Sequence, residues 1–67
     1  MERLKELRRE QVLSLRELEE RSGVSYNTIW RIEDGRQEAH PRTICKLAEA
    51  LEVAPSELIS GGDDRDG

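Results

Sequence analysis

The sequence predicts an all-α protein of five short helices, and two observations carry this prediction. Each apolar cluster along the 67 residues repeats with the period of a helix, and no strand-like alternation continues for long. Serine, proline and glycine residues separate these clusters at the positions where helices begin and end. We expect one folded domain in residues 1–60 and a disordered acidic tail in residues 61–67, because the sequence after Ile59 contains no apolar side chain.

Spacing and capping residues predict the first two helices. Leu4 and Leu7 give the first helix its apolar face, and Arg8 falls on the same side. Ser14 is a suitable N-cap for the second helix, because its hydroxyl accepts a backbone N–H of the first turn. Gly23 predicts the end of that helix, because glycine readily adopts the left-handed conformation of a helix C-terminus.

The third helix is predicted to run from residue 26 to residue 34. Ser25 is its expected N-cap, and Gly35 stops it. At about 100° per residue, Ile29 and Ile32 define the side that faces the core. The opposite half carries polar and aromatic side chains that can donate hydrogen bonds, which are Tyr26, Asn27, Trp30 and Arg31.

Two prolines mark the starts of the last two helices. Pro41 and Pro55 fit the first turn of a helix, because the backbone N–H that proline lacks has no hydrogen-bond partner within the helix at that position. The fourth helix carries apolar residues at the i, i+3, i+4, i+7 spacing of a buried stripe, namely Ile44, Leu47, Ala48 and Leu51. Leu58 and Ile59 of the fifth helix are expected to close the core.

Composition argues against several classes of function. Cys45 and His40 are the single cysteine and histidine, which leaves no intrachain disulfide and argues against a Cys/His zinc site. No catalytic constellation is recognisable, so we predict no enzymatic activity, no cofactor and no metal. Cys45 is expected to be half-buried, beside the apolar stripe of the fourth helix. Because no stretch suits a signal peptide or a membrane span, we expect a cytoplasmic protein without a membrane partner.

For nucleic-acid binding, the distribution of charge over the surface matters more than the net charge. A net charge of −4 by itself argues against nucleic acid, because phosphate binding usually leaves a basic footprint. Four arginines are nevertheless expected to gather near the third helix, while many acidic residues lie elsewhere; the four are Arg16, Arg31, Arg36 and Arg42. A basic face on an acidic body is therefore the expected arrangement.

The second and third helices together describe a helix-turn-helix, in which a tight turn containing Gly23 joins two short helices. The segments LKELRRE, LSLRELEERSGVSYNTIWRIEDGR and KLAEALEV resemble the Xre/Cro-type, lambda-repressor-like family, the DNA-binding domains of phage repressors and many small bacterial regulators. The resemblance covers residues 2–59. It implies a compact five-helix domain that regulates transcription by reading a double-stranded DNA operator with its third helix, as a homodimer.

The resemblance also implies roles for individual residues. Tyr26, Asn27 and Arg31 fall at the base-contacting positions of the family. The expected contacts to the DNA backbone come from polar and basic residues around them, which are Ser14, Arg16, Ser25, Thr28, Arg36 and Arg42. Two alternatives stay open for Trp30, which either packs over the loop of residues 36–40 or touches DNA.

Two further expectations concern structure and assembly. Arg8 points inward and Glu33 lies at the core boundary, and repressors of this family pair an Arg and a Glu at these positions. We therefore expect a partly buried, bidentate salt bridge between them. For a dimer, the surface most available is the fifth helix with Leu58 and Ile59.

Some residues depart from the family pattern. Leu15 stands where the family often has a glutamine that binds phosphate, and Glu19 stands where it usually has alanine. These departures and the negative net charge support an alternative function. In that alternative the fold is a protein-interaction or antitoxin-like module with a protein partner and with weak or no DNA binding.

Overall fold

The computed structural model describes residues 1–59, and this part of the chain contains five helices. They are α1 (Glu2–Glu10), α2 (Leu15–Ser22), α3 (Tyr26–Glu33), α4 (Pro41–Leu51) and α5 (Pro55–Ile59). No strand occurs in this part of the chain, so the all-α prediction is confirmed. The predicted tail of residues 61–67 lies outside the described residues.

The helices begin where their capping residues predict. Ser14 and Glu17 form a capping box at α2, since the Ser14 hydroxyl accepts from the Glu17 backbone N–H at 3.0 Å and the Glu17 carboxylate accepts from the Ser14 N–H at 2.8 Å. The Ser25 hydroxyl caps α3 by accepting from the backbone N–H of Asn27. Pro41 and Pro55 are the first residues of α4 and α5.

Left-handed residues end four helices, and only two of these residues are glycines. Gly23 after α2 and Gly35 after α3 have φ values of 78° and 77°. Val12 after α1 and Glu52 after α4 adopt the same conformation, with φ values of 56° and 61°. The sequence predicts neither of these two residues, because neither residue type signals a left-handed position. α3 ends at Glu33, one residue earlier than predicted.

The ends of α1, α3 and α4 share one hydrogen-bond pattern, the Schellman motif. In α3 the Gly35 N–H donates to the Ile32 carbonyl at 3.2 Å, and the Arg36 N–H donates to the Arg31 carbonyl at 2.8 Å. The equivalent bonds at α1 run from Val12 to Arg9 and from Leu13 to Arg8, and those at α4 start from Glu52 and Val53. Each motif fixes the direction in which the chain leaves its helix.

The core is made of aliphatic side chains from all five helices and two connections. α2 packs against α3 and α4, and α5 packs against α1 and α4, while α1 also contacts α3. The buried apolar residues form one cluster, which consists of Leu4, Leu7, Leu13, Leu18, Val24, Ile29, Ile32, Leu47, Ala48, Leu51 and Leu58. Because α3 packs against both α1 and α2, the surface of α3 that points outward is fixed.

Three residue assignments from the sequence are wrong, in part or in full. Cys45 is exposed rather than half-buried, because at about 100° per residue its side chain falls outside the apolar stripe of α4. Leu58 is only 1% exposed and belongs to the core, so its side chain offers no surface for a dimer. Ile59 is 54% exposed and does not close the core as expected.

Polar contacts also join helices that are distant in sequence. The Gln11 side chain donates a 2.7 Å hydrogen bond to the Leu51 carbonyl, which ties the end of α1 to the end of α4. Arg3 of α1 lies 3.7 Å from the carboxylate of Glu57 in α5. Within residues 1–59, no helix is both long and apolar enough to cross a lipid bilayer.

Candidate nucleic-acid interface

The turn between α2 and α3 is held by two hydrogen bonds to the last turn of α2. The Gly23 N–H donates to the Glu19 carbonyl at 2.8 Å, and the Val24 N–H donates to the Ser22 hydroxyl at 3.1 Å. The Val24 side chain is buried in the angle between the helices. Leu18 is buried on the α2 side of this angle and Ile29 on the α3 side. The two helices therefore form a rigid helix-turn-helix.

The outward face of α3 has the composition that the sequence predicts. Asn27 and Arg31 are exposed, while Ile29 and Ile32 on the opposite side are buried. Tyr26 is also exposed, at the first position of the helix. The face therefore presents an amide, a guanidinium and a phenol to solvent, and these groups match the donor and acceptor patterns of base edges.

An arginine from α2 covers the aromatic ring at the start of α3. The Arg16 guanidinium carbon lies 5.1 Å from the centre of the Tyr26 ring, within the range of a cation–π contact. This contact joins the first turn of α2 to the first residue of α3. Sequence spacing did not reveal it, because it depends on the angle between two helices.

A second arginine covers the other aromatic residue of α3. The Arg36 guanidinium carbon lies 5.3 Å from the centre of the Trp30 ring, and its Nε donates to the Asp34 carboxylate at 2.6 Å. Trp30 therefore packs against the loop of residues 36–40, and it remains 42% exposed. Both alternatives named for Trp30 remain compatible with this geometry, since the ring contacts the loop and also faces solvent.

A partly buried ion pair joins α1 to the end of α3. Arg8 of α1 donates from Nε to one Glu33 oxygen at 2.6 Å and from Nη2 to the other oxygen at 3.1 Å. A third bond runs from Arg8 Nη1 to the Leu13 carbonyl at 2.8 Å, directly before the N-cap Ser14. Arg8 therefore links α1, the start of α2 and the end of α3. The sequence predicts the ion pair but not the bond to Leu13.

The remaining residues predicted to bind the DNA backbone lie on several elements. Ser14 and Ser25 are exposed at the N-termini of α2 and α3, and Thr28 is half-buried in the first turn of α3. Arg42 is exposed in the first turn of α4, where it lines a shallow depression together with His40 and Thr43. Helix N-termini attract phosphate because their backbone N–H groups point outward. These hydroxyl, guanidinium and backbone N–H groups are therefore able to donate hydrogen bonds to the phosphates of a DNA backbone.

Comparison with known proteins assigns the family. A helix-turn-helix domain family matches residues 2–59, and the chain belongs to this family of DNA-binding transcriptional regulators. The chain is 40% identical over 58 residues to the uncharacterized HTH-type transcriptional regulator y4dJ of Sinorhizobium fredii, a match that covers 87% of this chain and 75% of the relative. The resemblance found in the sequence is thereby confirmed.

A solved structure has the same fold. The crystal structure of the restriction-modification controller protein C.AhdI from Aeromonas hydrophila superimposes with a TM-score of 0.82 and 37% sequence identity. The superposition covers 85% of this chain and 86% of that chain. At this similarity, the arrangement of the five helices is shared between the two proteins.

Proposed function

We propose that this chain is a sequence-specific regulator that reads the major groove of double-stranded DNA with α3 and binds its operator as a homodimer. The observation that carries this proposal is the exposed face of Tyr26, Asn27 and Arg31, on a helix whose opposite side is locked into the core. In a helix-turn-helix, the N-terminal residues of the second helix reach the base edges. Membership in a family of transcriptional regulators supports the same proposal.

Each side chain on this face has a chemical preference among the bases. The Asn27 amide pairs with adenine through one donor and one acceptor, and the Arg31 guanidinium pairs with guanine through two donors. Tyr26 packs against a thymine methyl group or donates its hydroxyl to a phosphate. A good bidentate pair discriminates against a wrong base by about 1–3 kcal/mol. Two such pairs in each protomer supply useful specificity to a dimer.

The DNA backbone is bound by groups that surround α3. These groups are the hydroxyls and guanidinium groups of Ser14, Arg16, Ser25, Thr28, Arg36 and Arg42. They orient the protein on the duplex but carry no sequence information. Because the net charge of the whole chain is −4, we expect weak non-specific binding and a large share of the discrimination from base contacts.

The dimer contact is proposed at the end of α5. Ile59 is 54% exposed, and it borders a shallow, mainly apolar groove whose lining includes Ile32 and Ile44 together with Gln37 and Glu38. An exposed isoleucine beside an apolar groove is the type of surface that a second subunit covers. A two-fold dimer would present two α3 helices to a symmetric operator in the cytoplasm.

Selection from a pool of random duplexes tests the proposed function. The protein is incubated with the pool at low salt, and the bound fraction is amplified and sequenced over several rounds. An enriched motif with two symmetric half-sites supports a sequence-specific dimer. Absence of any enriched motif would refute the proposal and would favour the protein-interaction or antitoxin-like alternative.

A further inference from the structure

Arg36 lies between an aromatic ring and a carboxylate. Its guanidinium carbon is 5.3 Å from the centre of the Trp30 ring, and its Nε is 2.6 Å from the Asp34 carboxylate oxygen. The side chains of Arg36 and Asp34 are 65% and 49% exposed, so both face solvent at the edge of the α3 surface. A cation proposed to bind phosphate is thus held beside a negative charge.

The backbone attaches this arrangement firmly to α3. The Arg36 N–H donates to the Arg31 carbonyl at 2.8 Å, and the Gly35 N–H donates to the Ile32 carbonyl. Asp34 is the C-cap residue of the same helix. Because the Schellman motif fixes the path of the chain after α3, the Arg36 side chain lies over Trp30, which is one helical turn before the C-cap residue Asp34. The helix end therefore fixes the backbone positions from which the Asp34 and Arg36 side chains meet.

The carboxylate leaves Arg36 able to bind phosphate but reduces the attraction. Arginine has five N–H donors, and Asp34 accepts from Nε, so the Nη edge keeps donors for a phosphate oxygen. The Asp34 charge nevertheless lies close to any phosphate bound there. Like charges this close repel each other, and water weakens the repulsion without abolishing it. The exposed pair offers little stability in return.

We infer that Asp34 limits the contribution of Arg36 to DNA affinity, an inference that rests on the proposed binding of DNA. In the free protein Asp34 partly neutralises Arg36, and in the complex it repels the phosphate that Arg36 contacts. The effect is independent of base sequence, because phosphates are present at every position. Asp34 therefore weakens backbone binding at Arg36, while Asn27 and Arg31 determine which base sequence is bound.

Four proteins test the inference on the selected operator: the wild type, Asp34→Asn, Arg36→Gln and the double variant. Asparagine keeps the size and removes the charge. We expect Asp34→Asn to bind about threefold more tightly. It should also show a steeper dependence of log K on log salt, by as much as about one unit, because Arg36 then neutralises one phosphate fully. In the Arg36→Gln background the same substitution should have a much smaller effect.

Glu49→Gln is the matched control, since it changes the net charge by the same amount on an exposed position of α4. It should leave affinity and salt dependence unchanged. The inference is overturned if Asp34→Asn binds no more tightly than the wild type, or if it gains equally in the presence and absence of Arg36. A wild-type protein that binds no duplex would instead refute the proposed function itself, and the inference with it.

Discussion

Replacing Arg8 with alanine should greatly lower the free energy of unfolding of the domain. The Glu33 side chain is only 4% exposed, and the Arg8 side chain is 14% exposed. Removing Arg8 leaves the Glu33 carboxylate buried without the two bonds at 2.6 and 3.1 Å, and it also removes the donor to the Leu13 carbonyl. An uncompensated buried charge is the expensive state of a broken ion pair.

The expected loss is large relative to the stability of so small a domain. Breaking a buried pair from one side costs about 3–5 kcal/mol. At about 0.05–0.15 kcal/mol per residue, a chain of this length has a total stability of about 3–10 kcal/mol. Since about 1 kcal/mol corresponds to about 4–8 °C in a domain of this size, Arg8→Ala should lower Tm by more than about 12 °C.

Urea unfolding followed by far-ultraviolet circular dichroism measures this loss. Arg9→Ala is the matched control, because Arg9 is an exposed neighbour on the same helix and its loss changes the net charge equally. Glu33→Gln extends the test if Arg8→Ala does not fold, since it should cost less. Replacing both Arg8 and Glu33 with methionine should restore most of the stability. A free energy of unfolding for Arg8→Ala within about 1 kcal/mol of that for Arg9→Ala would show that loss of the ion pair does not leave Glu33 as a costly buried charge.

Two other substitutions test the roles of exposed residues, one at the end of α1 and one at the end of α5. Val12→Gly should raise the free energy of unfolding by about 1 kcal/mol, because a β-branched residue is strained at a φ of 56° and Val12 is 85% exposed. Val12→Ala keeps a Cβ at that φ and serves as the comparison in the same urea titration; a loss of stability in Val12→Gly would contradict this reasoning. If the exposed Ile59 forms the proposed dimer contact, Ile59→Asp should shift the protein toward monomer in sedimentation equilibrium, and an unchanged dimer population would contradict that proposal.

Periodicity and capping residues predict most of the fold. The apolar spacing identifies Ile29 and Ile32 as buried, and the caps Ser14 and Ser25 mark the starts of α2 and α3. These features are local, so a sequence pattern reports them directly. Val12 escaped prediction because the Schellman geometry at the end of α1 determines its conformation, whereas its residue type disfavours it.

The surface around α3 was predictable only in outline. A helical wheel gives the direction of Asn27 and Arg31, but it gives no neighbours from other elements. The contact between Arg16 and Tyr26 depends on the angle between α2 and α3, and the contact between Arg36 and Trp30 depends on the path of the chain after α3. Long side chains also choose among many rotamers, and the tertiary environment selects one of them.

Repeating the selection from random duplexes with Arg31→Ala tests whether α3 reads the bases of the operator. If Arg31 reads a guanine, the motif of the variant should lose its preference at one position in each half-site and keep its preference elsewhere, with a loss of about 1–3 kcal/mol on the wild-type operator. Arg9→Ala, an exposed arginine on α1, should select the wild-type motif unchanged. An Arg31→Ala variant that selects the same motif with the same preference at every position would contradict readout by α3.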